Sequence, residues 1–221
     1  MLDPTNVTAA QVTGTFPKGD LPKLTEKQLQ FGHVPDLTAL RPGDLILKQA
    51  IKPGGFERMI AFGLRRTQPL AGHWTHAAMY VKEWRIIEAQ PFKNVSAGDL
   101  LTWLPGYKIL VRRPLHFHQM QADRGLLAGY EMVAEAALLM GEGRYGYLAA
   151  GAASTGSKRS GNGTRNDELI CSGLYAKCFS VSTGQQLLTP NQNRTDHPIT
   201  PPLLAGLTSL VTVNVGWLKL V

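Results

Sequence analysis

The chain has 221 residues, of which 43% are hydrophobic and 18% charged. It is long enough to bury one substantial core, and this composition excludes an intrinsically disordered chain. The formal net charge is +7, but the basic residues are scattered, with no long basic run and no aromatic ladder for single strands to stack on. Dedicated nucleic-acid binding is therefore not expected, whereas an anionic polymer fits the charge.

The N-terminal segment, residues 1–35, is polar and proline-rich, and we predict an arm followed by one domain over residues 36–221. Residues 1–30 lack an apolar block of signal-peptide length, so no Sec signal is expected. No stretch elsewhere approaches the roughly 18 apolar residues of a membrane span. We therefore expect a soluble protein, cytoplasmic at synthesis, and assume a monomer.

The middle of the chain predicts a mixture of short strands and helices. Pro42 and Gly43 predict a turn that leads into a short apolar strand ending near Lys48. Two β-rich runs, 75–81 and 84–89, are separated by two polar residues and predict a hairpin. Further patterns predict a helix over 56–66, a strand over 107–113, a helix over 124–140, a long basic loop over 151–166, a helix beginning near Asp167 or Glu168, and a final strand over 210–215.

Cys171 is the first candidate for chemistry. It falls within about one turn of a predicted helix start, where the positive end of the helix dipole lowers the pKa of a thiol. The backbone N–H groups there could also stabilise an oxyanion. The alternative is a small buried core residue. Cys178 lies two helical turns further on, roughly 10 Å away, so the two cysteines are not expected to form a disulfide.

His76 and Glu88 are the second candidate pair. An imidazole in an otherwise apolar strand needs a polar partner. A hairpin turn around Lys82 places Glu88 directly opposite His76, on the same face of the sheet. A carboxylate on one ring nitrogen would leave the other free to accept a proton, so the pair has the form of a base and its orienting group. A purely structural His–Glu pair is the alternative.

The order of these motifs resembles the circularly permuted branch of the NlpC/P60 papain-like superfamily, which includes the YiiX/YaeF-like amidases and is related to the lecithin:retinol acyltransferase-like proteins. The resemblance implies an α+β, permuted papain-like fold with an antiparallel sheet packed against the nucleophile helix. It also implies Cys171 as nucleophile, His76 as base and Glu88 as the third member, with no cofactor. The motifs are Leu-Arg-Pro-Gly-Asp-Leu-Ile (40–46), Thr-His-Ala-Ala-Met-Tyr-Val (75–81), Ile-Ile-Glu-Ala (86–89), Tyr-Gly-Tyr (145–147), Leu-Ile-Cys-Ser-Gly-Leu-Tyr (169–175) and, more weakly, Ile-Thr-Pro-Pro-Leu (199–203).

The substrate class that the resemblance implies is an amide, with bacterial cell-wall peptides first and lipid or thioester acyl groups second. A cell-wall target requires export, which without a Sec signal points to delivery as an effector to the periplasm or to a host. The rival from another class is a non-catalytic module that keeps the fold and binds an anionic partner through its basic loop.

The remaining candidates are minor. Tyr80 and Tyr145 could each donate a hydrogen bond to an oxyanion. His116 and His118 would face the same side of a strand, as metal ligands can, but no third ligand is evident and no metal site is expected. Ser172 would need a base of its own and is disfavoured beside a thiol.

Overall fold

The computed structural model describes residues 1–21, 24–67, 73–90, 93–141, 144–145, 168–188 and 199–221. These residues form an α+β fold of helices and largely antiparallel sheets, which confirms the α+β part of the predicted fold class. The predicted basic loop over 151–166 lies outside the described residues. The strands are β1 (Val12–Phe16), β2 (His33–Pro35), β3 (Leu45–Ala50), β4 (His76–Lys82), β5 (Arg85–Gln90), β6 (Asn94–Asp99), β7 (Tyr107–Pro114), β8 (Arg144–Tyr145), β9 (Glu168–Leu169), β10 (Leu210–Thr212) and β11 (Trp217–Leu220).

The described part of the chain contains six α-helices, and none of them is long and apolar enough to span a membrane. The predicted helices over 56–66 and 124–140 are present with ends displaced by one or two residues. The helices are α1 (Glu26–Phe31), α2 (Gly55–Thr67), α3 (Leu115–Gln119), α4 (Ala122–Leu138), α5 (Cys171–Thr183) and α6 (Pro201–Gly206), and short 3-10 turns occur at Ala9–Gln11, Lys18–Asp20, Leu37–Ala39 and Leu100–Trp103.

The largest sheet has six strands in the order β10-β7-β3-β4-β5-β6, and every neighbouring pair is antiparallel. Both faces of this sheet are covered. Helices α4 and α5 pack on one face around residues such as Leu45 and Met79. The other face buries Ile46 and Ile86 together with Trp217 from the C-terminal strand. A strand covered on both sides must be apolar at consecutive positions, which explains why Leu45-Ile-Leu47 does not alternate.

The N-terminal residues contribute to a second, three-stranded sheet. Its order is β1-β11-β2, with β1 parallel and β2 antiparallel to the C-terminal strand β11. Leu2 also pairs with Ile109 at the edge of the larger sheet and is almost fully buried. The predicted arm is thus joined to the rest of the chain by backbone hydrogen bonds at both of its ends.

The Pro42-Gly43-Asp44 turn fixes the helices against the sheet. Gly43 has a φ of 83°, in the left-handed region that favours glycine, and a Cβ there would lie 2.9 Å from the Gly129 Cα on α4. The Gly43 carbonyl accepts a 2.8 Å hydrogen bond from the Tyr175 hydroxyl on α5. Asp44 is buried and accepts two 2.7 Å hydrogen bonds from the Arg113 guanidinium on β7. One turn therefore ties α4, α5 and β7 together.

Two predicted elements differ in the structure. The helix that contains Cys171 begins at that residue rather than near residue 167 or 168, because Glu168–Leu169 is extended and pairs in parallel with Arg144–Tyr145. The predicted final strand, 210–215, ends early: Leu210–Thr212 is a strand of the large sheet, and a separate strand, Trp217–Leu220, follows it and joins the small sheet. A single straight strand could not pair with both sheets.

The hairpin exists, but its predicted register is wrong. Its strands run through Lys82 and from Arg85, with the turn at Glu83 and Trp84, and Glu83 adopts a φ of 49°. Met79 pairs with Ile87, and continuing this register puts Ala78, not His76, opposite Glu88. The error is two residues, which is even, so His76 and Glu88 still share a face.

Candidate active site

Cys171 is the first residue of α5, and it lies against the start of β4. Its thiol accepts hydrogen bonds from the backbone N–H groups of Ala77 and Ser172 and interacts with the His76 ring. The N-cap residue Ile170 provides no side-chain cap, so the donors of the first helical turn remain available to other groups. The thiol thus sits at the positive end of a helix with hydrogen-bond donors around it. The side chain is buried, with 6% of the residue exposed.

His76 lies between the thiol and a carboxylate. Its Nε2 hydrogen-bonds to Glu88 Oε2, and its ring also hydrogen-bonds to Cys171. Because Nε2 is engaged by the carboxylate, Nδ1 is the ring nitrogen left for the thiol. The ring edge also packs on Trp103, with centroids 5.9 Å apart. His76 and Glu88 meet as diagonal neighbours across the hairpin, a separation that long side chains can bridge.

Glu88 is held by more than the imidazole. Its second oxygen, Oε1, accepts a hydrogen bond from the Gln90 side-chain amide two residues along the same strand. A Cβ on the neighbouring Gly98 would lie only 2.6 Å from this same oxygen, so the absence of a side chain there makes room for the carboxylate. With 2% of its side chain exposed, Glu88 has both oxygens satisfied and little freedom to move.

The charges of the three groups support one another. Burial opposes charge on His76, but the Cys171 thiolate, its hydrogen bond and Glu88 outweigh burial and raise the His76 pKa to about 9. Burial would raise the Cys171 pKa, yet His76 and the Ala77 and Ser172 amides lower it. Burial likewise opposes the Glu88 carboxylate, whose pKa is lowered by His76 and Lys48. The arrangement favours a thiolate–imidazolium pair braced by a carboxylate.

Lys48 completes the charged group and was not predicted. It pairs with His76 across β3 and β4, and its ammonium lies 4.3 Å from the centre of the Trp103 ring and 4.8 Å from that of Tyr107. Burial lowers the Lys48 pKa, and the negative charges of Glu88 and Cys171 partly offset this effect. The sequence predicts Lys48 only as the end of a strand. Its contacts with the two rings come from residues distant in sequence, so no local sequence pattern indicates them.

Two of the cavities lined by the described residues bear on the site. One of about 330 Å³ is walled by Lys48, Glu88 and Trp103 and therefore adjoins the triad. A larger one of about 650 Å³ lies at the turn end of the hairpin beside Trp84, and no member of the triad is among the described residues that line it. Of the three triad residues, Glu88 is the one that lines the smaller cavity, which therefore meets the triad on its carboxylate side.

The structure does not bring Tyr80 to the thiol, and the prediction for Tyr145 is not tested by it. Tyr80 is four residues along β4 from His76, roughly 13 Å at the usual strand rise, and it lines the larger cavity instead. The backbone of Tyr145 forms β8, next to the strand that leads into α5, but its side chain lies outside the described part of the structure. Ser172 is fully buried, and its hydroxyl donates a 2.7 Å hydrogen bond to the Ile199 carbonyl.

The two histidines considered as metal ligands do not lie on a strand. Pro114 ends β7, and Leu115–Gln119 is helical, so His116 and His118 point about 200° apart around the helix axis. Within the described ranges no group of three or more His, Cys, Asp or Glu side chains is arranged to hold a metal ion. Cys178, buried further along α5, is also a free thiol, and burial raises its pKa to about 12.

Comparison with known proteins adds little beyond this geometry. No protein-family model matches the chain, and no curated protein matches it. Among solved structures, the crystal structure of the metalloprotein YiiX from Escherichia coli O157:H7 aligns with a TM-score of 0.49 and 14% sequence identity, over 78% of this chain and 96% of that chain. The fold and the site define an α+β protein with a buried thiol–imidazole–carboxylate cluster.

Proposed function

We propose that this chain is a permuted papain-like cysteine hydrolase of the NlpC/P60 type that cleaves an amide bond through Cys171, His76 and Glu88. The observation that carries the proposal is the chain of contacts from thiol to imidazole to carboxylate at a helix N-terminus. A buried structural His–Glu pair needs no thiol on its second nitrogen, and a core cysteine needs no imidazole.

The first half of the reaction uses the thiolate. The Cys171 sulfur attacks the carbonyl carbon of the scissile amide, and the electron pair of the C=O bond moves to oxygen. The Cys171 backbone N–H, which has no acceptor within the helix, is a donor for this oxyanion. The His76 imidazolium then gives its proton to the amide nitrogen, the C–N bond breaks, and the amine leaves a thioester on the sulfur.

The second half restores the enzyme. Neutral His76 accepts a proton from water as the water oxygen attacks the thioester carbonyl. The tetrahedral intermediate collapses, the carbon–sulfur bond breaks, and a carboxylic acid leaves with the thiolate regenerated. Glu88 accepts from His76 Nε2 throughout, so it keeps the ring oriented and stabilises the imidazolium. Trp103 limits rotation of the ring from one side.

The order of the elements supports the permuted assignment. The base strand β4 precedes the nucleophile helix α5 in the chain, and the two pack against each other. The Pro-Gly-Asp motif forms the turn that anchors α5 through Tyr175. The weaker Ile-Thr-Pro-Pro-Leu motif begins α6, where Thr200 caps the helix and the Ile199 carbonyl holds Ser172 next to the nucleophile. Apart from Tyr-Gly-Tyr (145–147), most of which lies outside the described residues, the motifs that carry the resemblance therefore belong to the site or to the elements that support it.

The substrate class that we propose is a peptide amide of the bacterial cell wall, which agrees with a net charge of +7 toward an anionic polymer. The test is incubation of the purified protein with peptidoglycan fragments and, separately, with phospholipid vesicles, followed by mass spectrometry of the products. New amine and carboxylate ends in the peptide fragments support the amidase. Release of fatty acid would reassign the substrate to a lipid ester, and product in neither would contradict the proposed substrates.

The matched control uses the two cysteines of one helix. Cys171→Ala is expected to abolish product formation, whereas Cys178→Ala is expected to keep it, because Cys178 is buried away from the imidazole with a raised pKa. Full activity in the Cys171→Ala protein would defeat the mechanism. If neither the parent nor the Cys171→Ala protein cleaved the anionic polymer and both bound it, the chain would be a binding module.

A further inference from the structure

The Lys48 ammonium has no carboxylate partner in the part of the chain that the structure describes. The described ion pairs join His76 with Glu88, Lys108 with Asp3, and Arg113 with Asp44. The contacts of the Lys48 ammonium are with the faces of two aromatic rings, which attract a cation but accept no conventional hydrogen bond. Three N–H donors on one cation therefore remain to be satisfied by water or by a ligand.

Lys48 is not placed to neutralise the Glu88 carboxylate by a direct ion pair. Glu88 already accepts hydrogen bonds from His76 on one oxygen and from Gln90 on the other, so Lys48 acts on it only at a distance. Glu57, the other nearby carboxylate, accepts a 3.0 Å hydrogen bond from the Tyr107 hydroxyl. Keeping a partly desolvated ammonium without a direct partner costs stability, and such a cost is common at sites that bind a ligand.

The surface around Lys48 has the form of a binding site. Lys48 and Glu88 both line the cavity of about 330 Å³, so one wall of this cavity belongs to the triad. The remaining polar lining includes Ser96, a second cation, Lys93, and Thr102, whose hydroxyl donates to the Asp99 carbonyl, while one Asp99 carboxylate oxygen caps the Leu100–Trp103 turn. The cavity thus offers two ammonium groups and the Ser96 hydroxyl to a ligand.

We propose that Lys48 is a specificity residue that binds a carboxylate carried by the substrate next to the bond under attack. The inference rests on the proposed function for its substrate, although the binding site itself is defined by the cavity. A carboxylate matches the site because it brings acceptors to donors that lack them and a negative charge to an ammonium held in a fixed place by Trp103 and Tyr107. Peptides with a free side-chain or terminal carboxylate are the chemical class concerned.

The test is calorimetric binding to the Cys171→Ala protein, which binds without cleaving. The probes are N-acetylglutamate and its neutral isostere N-acetylglutamine, with inorganic phosphate as a third arm. We expect N-acetylglutamate to bind at least about tenfold more tightly than the amide. Lys48→Met, which removes the charge and keeps the apolar stem, should abolish that preference. Lys48→Arg should restore most of it.

Lys82→Met is the matched control, because Lys82 is an exposed lysine at the far end of β4 and its loss changes the net charge equally. Its acid-to-amide preference should stay within about twofold of the parent. An unchanged preference in the Lys48→Met protein, no preference in the parent, or tighter binding of phosphate than of the carboxylate would overturn the proposal. Circular dichroism of each variant shows that the fold is retained.

A second readout separates this inference from the proposed function. Iodoacetate and iodoacetamide alkylate a thiol with the same chemistry but differ in charge. In the otherwise unmodified chain, Lys48→Met should lower the ratio of the iodoacetate rate to the iodoacetamide rate by about tenfold. If iodoacetamide does not label Cys171 at all, the proposed function fails, and the calorimetric result alone still decides the role of Lys48.

Discussion

Glu88→Gln tests how the triad is held together, because it removes one charge while preserving size and hydrogen-bonding capacity. The carboxylate accepts a hydrogen bond from His76 and, after the larger contribution of the Cys171 thiolate, helps to raise the His76 pKa to about 9. A carboxylate at contact distance shifts the pKa of such a group by about 1 to 3 units, and one unit corresponds to about 1.4 kcal/mol. In the variant the His76 pKa should therefore fall by at least about one unit.

The same change acts on the thiol in the opposite direction. The Cys171 pKa is lowered chiefly by the imidazolium, which offsets burial. When the imidazolium is less stable, the thiolate loses its partner, and the Cys171 pKa should rise. The pH window in which thiolate and imidazolium coexist is bounded below by the Cys171 pKa and above by the His76 pKa, so it narrows from both sides.

Two measurements report the two limits. The rate of iodoacetamide alkylation against pH gives the Cys171 pKa, and ¹⁵N chemical shifts of the His76 ring give its pKa. Glu83→Gln is the control, since this glutamate is exposed at the turn of the same hairpin and should leave both limits in place. If the titration curves of the Glu88→Gln and parent proteins superimpose, the Glu88 carboxylate does not stabilise the His76 imidazolium, and this prediction is wrong.

Three further substitutions probe the surroundings of the site. Gly98→Ala would place a Cβ 2.6 Å from the Glu88 carboxylate. Urea denaturation should therefore show a free energy of unfolding lower by about 1–3 kcal/mol, and the pH profile of alkylation should move as in Glu88→Gln. A variant of parental stability with an unchanged profile would contradict this crowding. Asp44→Asn leaves a buried guanidinium without its counter-charge and should cost about 3–5 kcal/mol of stability. Asp3→Asn, in a partly exposed ion pair, should cost less than about 1 kcal/mol, and equal losses would contradict this difference. Ser172→Ala should lose about 1–2 kcal/mol of stability but keep thiol alkylation, and loss of alkylation with the fold intact would give the hydroxyl a role in the chemistry.

The sequence pattern was sufficient to place His76 and Glu88 on one face of a hairpin. Side chains alternate with a period of two along a strand, so a register error of two residues left His76 and Glu88 on the same face. The register itself depended on where the turn formed, and Glu83 adopts an uncommon positive φ there that its residue type does not predict.

Other features depend on contacts between elements that are distant in sequence. Lys48 is placed by two rings from other parts of the chain, and the pairing of Asp44 with Arg113 joins two strands that only the sheet brings together. The start of α5 was misplaced because a two-residue pairing with β8 keeps the preceding backbone extended. Local propensity contains no information on such partners.

Detection of a thioester intermediate on Cys171 tests most directly whether this residue is the nucleophile. The protein is mixed with peptidoglycan fragments and quenched in acid within the first turnovers. After proteolytic digestion, mass spectrometry gives the mass of the peptide that contains Cys171. We expect Cys171, and not Cys178, to carry an added mass equal to the acyl portion of the cleaved fragment. This added mass should disappear as product accumulates. Product formation in the Cys171→Ala protein, or an acyl group carried by another residue, would contradict it.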